Sequence, residues 1–337
     1  MLRGVLNPPG DKRWLVSLLE TDVIWYELVR NSLRSDLNSR RFVKARIAMA
    51  KEKHNGYFDR RFVYFICSRD QVRFSTEQPA RFSLFRRSLV VHLVTGDGRV
   101  VRKKIPAALL KKPNRFGFGV LPRLENTSLA LTYFFPDGER GSIPVHDVLM
   151  GFELNLGIDT HVHYVGVTKN PDSRPMLDSH RGRQRTLAKV NGSGRDVLFF
   201  YNTFTVRYEA EDEEKGMRYF VSNAMTDDVD IRTEGLLIEK LLVWYFRPDC
   251  QGSIRNELGE LRNLYAKLSE AQRVRRIVVD IEVDSTSDYF RFSSRVVDPS
   301  KGLGFAVEKG PEGLKLYRRP AISYPARHAA ASATPPT

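Results

Sequence analysis

The chain has 337 residues, with 54 Lys plus Arg against 40 Asp plus Glu, a formal net charge of +14, 42% apolar residues and two Cys. That balance is too apolar for a disordered chain and too charged for a membrane bundle. No apolar run approaches the roughly 20 residues that cross a bilayer, and the Pro-Pro-Gly break in MLRGVLNPPGDKRW interrupts the apolar stretch of about 7 to 15 residues that a signal peptide needs. The expectation is a cytoplasmic protein with no membrane partner, long enough for two domains.

The charge is unevenly placed. Residues 1–150 hold 27 Lys/Arg and 14 Asp/Glu, whereas residues 151–337 hold 27 and 26, so nearly all the excess lies in the first half. A field of that sign attracts a polyanion, and nucleic acid is the commonest one in the cytoplasm. Cys67 and Cys250 lie far apart with no CxxC and no His at finger spacing, which points to two reduced thiols rather than a disulfide or a structural zinc site.

Along the chain, residues 13–53 read as helical, with Trp14, Leu15, Leu18 and Leu19 and then Val23, Ile24, Leu28 and Val29 spaced to cover one face. The continuation carries Arg40, Arg41 and Lys44, a basic amphipathic surface that suits a phosphate backbone and equally suits a solvated helix face. After Asn55-Gly56 the pattern changes to strands at 61–68, 88–94 and 99–105, and a pair at 128–135 and 141–145 joined by Pro136-Asp137-Gly138. Lys103, Lys104, Lys111 and Lys112 lie near Phe116 and Phe118, where charge and stacking together suit a nucleic-acid strand.

From about 147 the order reads strand 148–156, strand 161–167, helix 173–190, strand 197–208, helices 235–246 and 253–274, and strand 277–283. The last residues, PAISYPARHAAASATPPT, have little to bury and read as a disordered tail after about 320. His161 and His163 share a strand face without an evident third ligand, and Asp280, Glu282 and Asp284 alternate along another strand in the manner of an exposed face. P-loop, dinucleotide-binding and nucleophile-elbow motifs are all missing from the sequence.

The most specific stretch is YVGVTKNPDSR, residues 164–174: a Tyr-Val-Gly strand end, an Asn-Pro-Asp turn and an arginine opening a helix. It resembles the GIY-YIG nucleases, in which a Tyr-(Ile/Val)-Gly strand is followed at this interval by an arginine on a helix. The family's first Gly-Ile-Tyr element would fall at Gly151-Phe152-Glu153, with Glu153 in place of a tyrosine. Glu239, on an apolar helix followed by Pro248, resembles the metal-binding glutamate. His180 comes six residues after Arg174, where four is usual, and Gln251 or Asn256 stands nearest to the terminal asparagine.

The resemblance implies a metal-dependent endonuclease, a hydrolase acting on DNA rather than RNA. Tyr164 would position or deprotonate the water, Arg174 would neutralise the scissile phosphate, and His180 and Glu153 would assist. Glu239 would bind Mg2+ or another hard ion such as Mn2+. Arg181, Arg183 and Arg185 beside His180 would track the backbone. The expected fold is α+β: a basic helical and antiparallel-β docking domain over residues 1–146, a GIY-YIG-like domain over 147–300 with a small central antiparallel sheet flanked by helices, and a C-terminal segment over 301–337. The alternatives are a non-catalytic nucleic-acid binder with a degenerate module, and a scaffold for an acidic protein.

Overall fold

Residues 12–25, helical by their spacing, form instead a 14-residue strand, β1 (Lys12–Trp25). It lies between an antiparallel and a parallel neighbour, with a bulge between Leu18 and Glu20. Its apolar residues fall on both faces, Trp14 and Val16 buried, Leu15 half-buried and Leu19 exposed, and with the bulge this erases the alternation by which strands are recognised. The computed structural model describes residues 10–27, 62–85, 87–113, 119–168, 180–212, 216–222, 231–283 and 285–320. The basic segment 40–53 and the tail after 320 lie outside them.

The strands that follow are β2 (Phe62–Asp70), β3 (Val72–Phe74), β4 (Arg81–Phe82), β5 (Ser88–Thr95), β6 (Val100–Pro106), β7 (Lys112–Pro113), β8 (Gly119–Val120), β9 (Arg123–Asn126), β10 (Ala130–Phe134) and β11 (Arg140–Pro144). After helix α1 (Val145–Gly151) come β12 (Thr160–Thr168), helix α2 (Arg181–Val190), β13 (Arg195–Asp212) and β14 (Met217–Ser222). Helices α3 (Ile231–Phe246) and α4 (Ile254–Gln272) precede β15 (Val274–Asp280), β16 (Phe292–Ser294), β17 (Val297–Ser300), β18 (Leu303–Gly310) and β19 (Gly313–Pro320).

The expected α+β class, with a small sheet flanked by helices, does not hold. Strand makes up 49% of the structure and helix 25%, and the centre is a large mixed sheet curled into a half-barrel. Its order is β17-β16-β12-β2-β13-β1-β15-β18-β19, with β14 beside β13. Pairing is parallel at β1/β15 and β12/β16 and antiparallel elsewhere. Strands from both sides of residue 146 share this sheet, since β1 and β2 lie between β12 and β15. Smaller sheets are β11-β10-β9, β3-β5-β4 with β6 beside β5, and β7-β8.

The other misread element is residues 148–156, expected as a strand. Val145, Val148 and Leu149, at helical spacing after Pro144, bury one side of α1. The chain leaves that helix through Glu153 at φ 48°, just as it leaves α3 through Arg247 at φ 45° and α4 through Arg273 at φ 56°. A left-handed residue after a helix turns the chain sharply away from the axis.

The sheet buries both faces unequally. Val63, Phe65 and Cys67 of β2 point into the larger core with α3, α4 and most of β1, whereas Tyr64 and Ile66 point into a smaller cluster with Phe199, Tyr201 and, from α2, Val190. Two buried ion pairs stand inside the larger half. Arg69, 1% exposed, bonds Asp288 Oδ1 at 2.8 Å and covers the Tyr289 ring at 3.9 Å. Asp196 accepts from His146 Nε2 at 2.9 Å and from both terminal nitrogens of Arg73 at 2.7 and 2.9 Å.

Burial alone would raise the Asp196 carboxyl, but His146 and Arg73 outweigh it and bring the pKa down to about 2. A depressed carboxylate stabilises the fold above its unfolded value and loses that contribution as pH falls through the folded one. Acid unfolding should therefore steepen between about pH 4 and 2, with on the order of 2 kcal/mol at stake. Denaturant midpoints across that range should show a flatter acid limb for Asp196→Asn than for the wild type.

Candidate functional site

β12 runs antiparallel to β2, with His161 opposite Ser68 and Val162 opposite Cys67, then shifts by a bulge so that Tyr164 lies opposite Ile66 and Val165 opposite Phe65. In an unbroken strand His161 and Tyr164, three residues apart, would face opposite sides. The extra residue, His163, cancels that alternation. Val162 and Val165 consequently pack into the larger core, while Tyr164 joins the smaller cluster on the face that carries Tyr64.

There Tyr164 meets His180. The histidine caps α2, its Nδ1 accepting the Arg183 backbone N–H at 3.0 Å. With Nδ1 accepting, the neutral ring carries its proton on Nε2, which donates to the Tyr64 hydroxyl at 2.7 Å. The Tyr164 and His180 ring centroids are 5.2 Å apart at 90°, and the two phenol rings 6.0 Å apart at 31°. Tyr64 is 1% exposed, whereas Tyr164 and His180 are half-buried and reach solvent.

Two glycines make room for the rings. A Cβ on Gly182, in the first turn of α2, would lie 2.5 Å from the Tyr164 ring, and one on Gly166 would lie 2.5 Å from the Tyr64 hydroxyl. The close approach that Gly166 permits is thus made by a phenol.

The remaining expected site residues are scattered. Glu153 follows α1 and is held by Thr286 and Ser285, and the Thr286 hydrogen bond lowers its carboxyl below the ordinary value. Glu239 lies on α3, whose apolar side packs against the sheet face opposite the phenols. The Lys240 ammonium stands 3.9 Å from the Glu239 carboxylate and also bonds Glu257 and, at 2.8 Å, Glu260. Burial depresses that ammonium, but Glu239 and Glu257 more than compensate and hold it above its usual value. A cation already sits beside the expected Mg2+ ligand, so the described residues there do not form a divalent-ion cage. Arg174, Arg40, Arg41 and Lys44 lie outside the described residues.

Among the expected phosphate contacts, Arg181 and Arg185 are exposed on α2, the latter reaching the Gln251 carbonyl at 3.4 Å. Arg183 is buried, its guanidinium over the Tyr26 ring at 5.7 Å. Lys104 and Lys111 are exposed, Lys103 donates to the Asn155 carbonyl at 2.6 Å, and Lys112 pairs with Glu139 and with Asp137 at 2.9 Å.

A second polar cluster lies on the same face. His163 Nδ1 is 2.8 Å from Asp249 Oδ1, His163 Nε2 is 2.8 Å from the Ser68 hydroxyl, and His161 Nε2 is 3.7 Å from Asp249 Oδ2. Ser68 in turn accepts from Arg195 Nε at 2.9 Å. Lys189 pairs with Asp249, and Arg295 Nε stands 3.7 Å from it. Burial alone would raise Asp249, but His161, His163 and Lys189 hold it far below the usual carboxylate range, whereas burial pushes His163 below its usual value despite Asp249. Ser68, His163 and Asp249 have the spacing of a hydrolytic triad, yet Ser68 is 0% exposed, so no carbonyl can reach it.

Asp249 reaches this cluster because the turn after α3 crosses the edge of β12 beyond its short pairing with β16. Cys250 N–H donates to the His163 carbonyl at 2.9 Å, and Gln251 Oε1 accepts from Val165 N–H at 3.2 Å. Sequence spacing had shown the two histidines on one face, but nothing in it joins Asp249 to them. Tyr64 was likewise hidden, since only strand pairing sets it beside Tyr164. Comparison of the chain with protein-family models, with curated proteins and with solved structures returns no match.

Gly182→Ala should displace the Tyr164 ring and lower stability by about 1–3 kcal/mol. Its denaturant midpoint should fall and its near-UV circular dichroism should change, while Gly259→Ala on α4, where a Cβ meets nothing within 4 Å, should leave the near-UV signal intact.

Proposed function

We propose that the protein binds nucleic acid, DNA rather than RNA, and hydrolyses phosphodiester bonds at the face that carries Tyr164, Tyr64 and His180. The observation that supports this reading is the second phenol. The resemblance to GIY-YIG nucleases carried one tyrosine, with Glu153 where the other was expected; Tyr64, from the neighbouring strand, lies against Tyr164 and His180 instead.

The two phenols differ in what they can do. Tyr164, open to solvent on one side, is the group that can orient a water or a phosphate oxygen. Tyr64 is buried and fixes the His180 ring through its Nε2–H. Arg181 and Arg185 lie exposed along the same helix and can hold the backbone. The Mg2+ or Mn2+ ion that the resemblance links to Glu239 does not belong to this face, because Glu239 lies on α3 against the opposite face of the sheet, with Lys240 beside its carboxylate.

Docking falls to the basic half. Arg102 and Lys104 are exposed on β6, across from Arg81 on β4, and the turn after β4 carries Leu84 and Phe85 at 91% and 80% exposure. An exposed aromatic among cations can stack on a base while the charges take phosphates. Binding without cutting is the second reading, favoured by the cation beside Glu239.

Incubation with supercoiled, linear and single-stranded DNA, with and without Mg2+, separates these readings. Cleavage should fall roughly 10²-fold in Tyr164→Phe with DNA affinity retained, and affinity should drop steeply with salt. Binding with no cleavage of any substrate would leave the non-cutting binder. No binding at low salt would leave a scaffold for an acidic protein.

A further inference from the structure

We propose that His161, His163 and Asp249 form a binding site for one borderline divalent transition ion, of the Zn2+ or Fe2+ class, at the edge of β12. This goes beyond the nuclease reading and stands without it.

The three donor atoms lie within 4.8 Å of one another. His163 Nδ1 lies 2.8 Å from Asp249 Oδ1 and His161 Nε2 3.7 Å from Oδ2 of the same carboxylate, each about half an ångström from the roughly 3.3 Å between donors that bonds of about 2.0–2.1 Å impose on a tetrahedral ion. Closing the site on one ion requires the rings and the carboxylate to turn toward a common centre. Two imidazoles and one carboxylate select borderline transition ions over Mg2+, which prefers oxygen ligands and keeps its waters. Three protein ligands also leave a position open for water or substrate.

The surroundings supply what such a centre needs. A ligating histidine is usually oriented by a hydrogen bond from its other ring nitrogen. On binding, His163 would change tautomer, losing its Nδ1 proton to solvent and taking one from solvent at Nε2, so that Nδ1 coordinates and Nε2–H donates to Ser68, whose hydroxyl already accepts from Arg195. Access comes along the His161 side, where the side chain is 24% exposed. Cys250, whose thiol hydrogen-bonds Thr186 and Asp249, stays outside the donor group.

The competing arrangement is a purely structural one, in which Lys189 neutralises Asp249. Lys189 and Arg295 have side chains 35% and 69% exposed, so both can swing into water when an ion enters. Their charge opposes the ion electrostatically, and their removal should strengthen binding.

The test uses the tag-free full chain and equilibrium dialysis with Zn2+ or Mg2+ alone, without nucleic acid, so its outcome is separate from any nuclease assay. The wild type should bind one Zn2+ and no stoichiometric Mg2+. His161→Ala should weaken Zn2+ binding at least tenfold with unchanged far-UV circular dichroism, and Lys189→Met should tighten it. Co2+ in place of Zn2+ should give visible absorption bands that are lost in His161→Ala. Absence of stoichiometric Zn2+ binding by both the wild type and Lys189→Met, or unaltered binding and Co2+ bands in His161→Ala, would overturn the assignment.

Discussion

A single additional residue in β12 governs the chemistry available to this protein. The backbone of β12 pairs with β2 on both sides of the bulge at His163, but the alternation of its side chains is reset there. Val165 is thereby drawn into the larger core beside Val162, and Tyr164 joins His161 and His163 on the other face. On a regular strand the two histidines would still share a face, but Tyr164 would point toward the face covered by α3 and the space beside Tyr64 and His180 would lose its phenol.

The bulge matters because both faces of the sheet are covered, so each side chain has only two destinations, and both are packed. On the crowded face, Phe65 meets Phe246 of α3 and Phe292 of β16 edge to face at 5.7 and 5.5 Å. On the other, α2 sits close enough that Gly182 and Gly166 accommodate tyrosine rings directly. The turn after α3 then wraps the edge of β12 and delivers Asp249 to the histidines, tying α2, β12 and the β16–β17 turn to one buried carboxylate. Its cost of burial is offset by the cations and imidazoles around it.

Much of the strand pattern was legible. β2, β5, β6, β12, β13 and β15 each carry a β-branched or aromatic run bounded by polar or turn residues, and α3 and α4 carry helical periodicity. β1 was not legible, since a strand with apolar residues on both faces and a bulge at Leu18/Glu20 lacks a period of two. Nor was α1, a short helix of Val, His, Met and Leu whose apolar run imitates a strand. Of the candidate site, Tyr164 and His180 were singled out by the resemblance, His180 despite its displaced spacing, and the two rings do meet. Tyr64 and Asp249 were not, because the partners that give them meaning lie 86 to 116 residues away in the chain.

The sequence by itself determined the excess of positive charge in the first half, the succession of most elements, and the Tyr-Val-Gly run that ends β12 a short way before His180. These are local or additive properties, carried by composition and by side-chain period. Only the tertiary structure decided which strands are neighbours, and with that which tyrosine stands beside Tyr164 and which carboxylate stands beside His161 and His163. The physical reason is that strand pairing joins backbone groups that every residue possesses, so the order β12-β2-β13-β1-β15 follows from how the whole chain buries its two faces, and no short motif encodes it.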